Sequence, residues 1–91
     1  MAHTLTKEDI DVAHLDDLAR ALSRHGHLTM IVTDGVPRLT VLNRAEPDRY
    51  ATVICERGPG GEPWFWWSWA DRIAPVADLD HAATVIDRSL R

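Results

Sequence analysis

The chain has 91 residues, of which 45% are hydrophobic and 26% charged, the proportions of an ordinary folded soluble domain, and its formal net charge is -4. A chain of that length is one domain, and it buries only about 60–65% of the surface that its unfolded form exposes. The acidic balance argues against a nucleic-acid or anionic-membrane partner, since both reward a basic face, and no apolar run approaches the ~20 residues that span a bilayer.

The first eleven residues carry Glu8, Asp9 and Asp11 and lack the apolar centre of a signal peptide. The single cysteine, Cys55, excludes an internal disulfide and suits a reducing compartment, so the cytoplasm is the expected location. Nine arginines against one lysine, beside eleven alanines, match the codon usage of a GC-rich bacterial genome.

The periodicity predicts a helix over roughly residues 7–25. Thr6 caps it, with Asp9 at the third helical position in a variant of the capping box. Leu15, Leu18, Ala19 and Leu22 draw one apolar stripe, and Asp16 and Arg20 pair off that stripe. Arg24 and His25 favour the last turn, and Gly26 stops the helix.

Leu28 to Thr33 is a strand, and Asp34-Gly35 after it is a hairpin signal. Pro37 sits at the edge of the next strand, Leu39 to Asn43, where a missing N–H does least harm. Residues 44–48 read as a loop, Tyr50 to Glu56 as a third strand, and Gly58-Pro59-Gly60-Gly61 as a turn. The fourth strand is Trp64-Phe65-Trp66-Trp67-Ser68-Trp69, which holds all four tryptophans and the one phenylalanine. Asp71 to Ala77, with Pro75, is expected to be irregular. Asp78 caps a closing helix over residues 79–90, whose apolar stripe is Leu79, Ala82, Ala83, Ile86 and Leu90.

Helix, four strands, helix gives an α+β domain in two layers. The four-stranded sheet is an antiparallel meander with both helices on one face, because each helix has a single apolar stripe to bury. Alternation then sorts the strand residues. Leu28, Met30, Val32, Leu39, Val41, Ala51, Val53, Cys55, Phe65, Trp67 and Trp69 belong under the helices. The open face collects Thr29, Ile31, Thr33, Arg38, Thr40, Leu42, Tyr50, Thr52, Ile54, Glu56, Trp64, Trp66 and Ser68. An open antiparallel face normally shows polar side chains to water. This one is half apolar or aromatic, a larger patch than most monomers expose.

Three readings follow for that face. A loop or terminus folds over it; or it is a contact surface, first of all for a second copy in a two-fold dimer; or Trp64 and Trp66 wall a pocket for an apolar or cationic small molecule. The candidate contact residues are Trp64, Trp66, Tyr50, Ile31, Leu42, Ile54 and Arg38. Aromatic rings on an open sheet also stack nucleic-acid bases, but only Arg38 is there to meet a backbone, opposed by Glu56. Strand-edge pairing through Leu28 to Thr33 is a second route to a dimer.

Catalytic and metal chemistry find little support. His14, His25, His27 and His81, with His3 near the N-terminus, show no zinc spacing and read as solvated or helix-capping groups. Cys55 lies among apolar strand residues, where a thiol is inert packing. Ser68 lacks the glycines of a nucleophile elbow, and the glycines at 58–61 join two strands rather than opening a helix around phosphate. Asp71 and Arg72 read as an exposed ion pair. No cofactor and no metal is expected.

The segment Trp64-Phe65-Trp66-Trp67-Ser68-Trp69-Ala70-Asp71-Arg72-Ile73-Ala74-Pro75 resembles a signature of short actinobacterial proteins without an established activity. Gly26-His27-Leu28-Thr29 after a helix and the closing helix from Asp78 to Leu90 are similar in placement. The resemblance implies no catalytic residues. In architecture alone, helix, four strands, helix is similar to small secretion-chaperone-like folds that dimerise and hold client peptides, which implies a protein or peptide client.

Overall fold

The computed structural model describes residues 5–91. The chain runs α1 (Lys7–Arg24), β1 (Leu28–Val32), β2 (Arg38–Leu42), β3 (Tyr50–Arg57), β4 (Pro63–Trp67), β5 (Arg72–Pro75) and α2 (Leu79–Leu90). The strands form one antiparallel sheet in sequence order, β1-β2-β3-β4-β5. The α+β class and the meander are as expected. The sheet has one strand more than the four read from the sequence.

That fifth strand is Arg72–Pro75, inside the stretch expected to be irregular. It is short, and its pairing with β4 slips between Phe65 and Trp66. Phe65 faces Ala74 and Trp66 faces Arg72, which leaves Ile73 as a bulge residue. Both Ile73 and Ala74 are buried, so two consecutive residues meet the core and no alternation is visible. Pro75 is tolerated because the strand is at the sheet edge.

Both helices lie on one face. α1 packs across β1, β2 and β3, and α2 lies beside it against β5. The core between the layers is Leu15, Leu18 and Leu22 from α1, Ile86, Ala82 and Ala83 from α2, and Leu39, Val41, Val53, Phe65 and Trp67 from the sheet. The capping box of α1 forms as read: Asp9 N–H donates to Thr6 Oγ1, and Thr6 N–H donates to Asp9 Oδ2, both at 3.1 Å. Gly26 ends the helix at φ +90, a conformation that favours glycine. Asp16 and Arg20 pair at 2.8 Å. Asp78 stands at the N-cap of α2 but makes no side-chain capping bond, so its expected role is only positional.

The first strand is assigned to the wrong phase by composition. Residues directly opposite in an antiparallel ladder share a face. Ile31 is opposite Leu39 and Thr29 opposite Val41, so Thr29 and Ile31 face the helices. Leu28, Met30 and Val32 instead face outward, with Leu28 43% and Met30 56% exposed. The end of the tryptophan strand also differs. β4 stops at Trp67, and Ser68, Trp69 and Ala70 form the turn into β5. Trp69, expected in the core, is 60% exposed; its ring stacks parallel on Trp67 at 5.0 Å, and its indole N–H donates to Asp71 Oδ2.

Candidate functional site

The candidate site is the face of the sheet away from the helices. Strand register orders it in rows. Leu28, Leu42 and Tyr50 form one row, and Met30, Thr40 and Thr52 the next. A third row, Val32, Arg38, Ile54, Trp66 and Arg72, crosses all five strands. Glu56, Trp64 and Pro75 close the face at the far end. No described helix lies on it.

Trp64, Trp66, Leu42, Ile54, Tyr50 and Arg38 stand on this face as the alternation predicts. Ile31 does not: its register with Leu39 turns it under α1, where it packs against the core. Leu28, Met30 and Val32 take its place, and they make the patch more apolar than the sequence suggested. The signal that would have found them is the hairpin register, since pairing Val32 with Arg38 across the Asp34-Gly35 turn ties the phase of β1 to that of β2.

The surface indoles spend their N–H groups internally. Trp64 Nε1 donates to Glu62 Oε1 at 2.7 Å, and Trp66 Nε1 to the Glu56 carbonyl at 3.1 Å. The Trp64 bond holds the Glu62 carboxyl below the usual carboxylate range. What these rings offer outward is therefore hydrocarbon and π surface, not a free donor. Trp64 is fixed from both sides. The Arg72 guanidinium lies 5.4 Å from its ring centroid, and a Cβ added at Gly58 would come within 2.1 Å of its Cδ1. Asp71 and Arg72, read as an ion pair, are engaged instead with Trp69 and Trp64. Arg38 is held by the hairpin loop, donating to the Asp34 and Val36 carbonyls.

The candidate residues are spread out, not gathered into a pocket. Tyr50 and Ile54 are four residues apart on β3, roughly 13 Å at a strand's rise per residue. A recess lies elsewhere, a cleft of about 390 Å³ beside the start of α1 lined by Lys7, Ile10, Asp11, His14, Cys55, Glu56, Arg57, Gly61 and Pro63. No tryptophan borders it. Inside it Lys7 pairs with buried Asp11 at 2.8 Å and lies 3.5 Å from Glu56, and its hydrogen bond to Asp11 raises its pKa. Burial pushes the Cys55 thiol up to about 12, with Asp11 adding to the effect, so it stays protonated and a poor nucleophile at neutral pH.

His27, read as solvated or capping, is buried and bonded to Asp87 at 2.8 Å. His3 lies outside the described residues. Among the described residues no group of three or more metal-ligating side chains comes together, and no helix is long and apolar enough to cross a membrane.

The fold and this face together define a two-layer α+β domain with one aromatic-bearing sheet surface on which no described helix lies. Comparison with family models, with curated proteins and with solved structures found no match to the chain.

Proposed function

We propose that the protein is a non-catalytic interaction module, a homodimeric accessory or regulatory protein of the cytoplasm whose contact surface is the open, tryptophan-bearing sheet face. The observation that carries this reading is the apolar content of that face, with Leu28, Met30, Val32, Leu42, Ile54, Trp64 and Trp66 standing in register on the side away from both helices. Two-fold pairing of such faces would remove them from water and enlarge the core of a domain with little interior of its own.

The spread of the residues supports a broad partner over a small ligand. Arg72 already lies over the Trp64 ring, where a cationic ligand would have to sit. A client polypeptide remains compatible with the same face.

Trp66→Glu tests the reading. It places a charge within the row that crosses the sheet, between Ile54 and Arg72, on a side chain outside the helix-covered core. Light scattering at micromolar concentration should show the number of chains per particle halved, with the far-UV circular dichroism unchanged. A wild-type monomer, or an unchanged chain number in the variant, overturns it.

A further inference from the structure

The two edges of the sheet differ in kind. The β5 edge is blunted: it is short, carries Arg72 and Pro75, is broken by the bulge at Ile73, and is flanked by α2. Each of these features discourages another strand from joining. The β1 edge, Leu28-Thr29-Met30-Ile31-Val32, has no charge, no proline and no bulge, and nothing in the described chain pairs with its outer side.

The hydrogen-bond pattern says which groups that edge offers. Asn43 N–H donates to the Arg49 carbonyl at 2.9 Å, so its amide points toward β3. Backbone groups alternate along a strand, which turns those of Val41 and Leu39 toward β3 and those of Leu42, Thr40 and Arg38 toward β1. Ser68 N–H donating to the Thr52 carbonyl at 2.9 Å fits the same alternation, since it points Thr52 toward β4 and leaves Ala51 and Val53 to bond β2. The partners of Leu42, Thr40 and Arg38 are Leu28, Met30 and Val32, whose amides are therefore satisfied by β2. Thr29 and Ile31 point their N–H and C=O groups outward. His27 N–H is taken by the Leu22 carbonyl, which closes the edge at its start.

We infer that β1 pairs antiparallel with β1 of a second copy, in the register centred on Met30. That register sets Thr29 opposite the partner's Ile31, and Ile31 opposite the partner's Thr29. Both outward donors and both outward acceptors of each copy are then used. Leu28 meets Val32, and Met30 meets its own mate, so the outward face stays apolar across the join. Thr29 and Ile31 remain on the helix side in both copies. Shifting the register by one residue either way brings in His27 or Thr33, and in the first case the His27 amide is already occupied. Like charges do not oppose, because the strand has none. The result is one ten-stranded sheet with all four helices on one side.

This pairing rests on the reading of the chain as an assembling module but uses a different surface, so the two can fail separately. With both contacts present, two of the face-paired dimers join through their β1 edges, so that the wild-type particle holds four chains. Thr29→Pro removes an outward N–H without touching the β1–β2 ladder or any open-face side chain, and Thr29→Val keeps the N–H as the control. Light scattering should give half the wild-type number of chains for Thr29→Pro, half for Trp66→Glu, and a single chain for the double variant, with Thr29→Val unchanged. Hydrogen exchange on the wild-type protein provides a readout that needs no variant: the Thr29 and Ile31 amides should be protected like that of Met30. If those two amides exchange freely in the purified protein, or if Thr29→Pro keeps the wild-type chain number, self-pairing is overturned. The edge would then be left to a strand of another protein.

Discussion

Asp87 ties the end of α2 to the start of β1. His27 Nε2 lies 2.8 Å from its Oδ1, Arg91 donates to its Oδ2 through Nε and Nη2 at 3.0 and 2.7 Å, and His25 Nδ1 stands 3.9 Å away. Burial alone would raise its pKa, but the bonds from Arg91 and His27 outweigh burial and hold the carboxyl below the usual carboxylate range. A carboxyl depressed in the folded state contributes stability above its unfolded value, about 3.9, and that contribution is lost as pH falls through the lower folded value. Asp87→Asn should therefore destabilise the domain at pH 7 by about 2–4 kcal/mol and flatten the loss of stability below about pH 4; urea unfolding at pH 7 and pH 3 checks both. Ala70 is a second residue with a marked role. Its φ of 75 is left-handed, in the turn where Ala70 N–H donates to the Trp67 carbonyl. That conformation costs a residue with a Cβ roughly 1–2 kcal/mol. Glycine removes the strain but gains freedom when unfolded, so Ala70→Gly should stabilise by up to about 1 kcal/mol, read as a melting temperature a few degrees higher.

At the scale of elements, α1 is the one whose every feature follows from local chemistry. Its capping box satisfies two otherwise orphaned donors, and Thr6→Ala should cost about 1 kcal/mol in a denaturant titration, with the sheet unaffected. Strands were less legible. β4 alternates Phe65 and Trp67 against Trp64 and Trp66, so alternation alone puts rings on both of its faces. β1 could not be read that way, because Leu28, Met30 and Val32 are as apolar as a core set. Only the register imposed by the hairpin shows that Ile31 faces the helices. β5 was hidden by its bulge and by Pro75, both of which erase the period-two signal that marks a strand.

For the whole molecule, one layer of side chains between sheet and helices supplies the interior. Phe65 is completely buried there, between the two layers. Phe65→Ala should cost about 3–5 kcal/mol, a large part of the roughly 5–13 kcal/mol that a domain of this length has in total. The variant should unfold at a clearly lower urea concentration and temperature than the wild-type chain, followed by near-UV circular dichroism. That thin margin is also the physical reason why the uncovered face matters: a partner that binds only the folded chain adds directly to its stability.

The sequence by itself determined the two helices, the meander and the presence of rings on both sides of β4, because periodicity and turn chemistry act over a few neighbouring residues. It also placed Trp64, Trp66, Tyr50, Leu42, Ile54 and Arg38 on one face. Only the tertiary structure decided that Leu28, Met30 and Val32 join them, that Ile31 does not, that Trp69 leaves the core for the turn after β4, and that His27 is buried against Asp87. Those outcomes depend on the pairing of distant segments, and a shift of one residue in register exchanges the two faces of a strand without changing its composition.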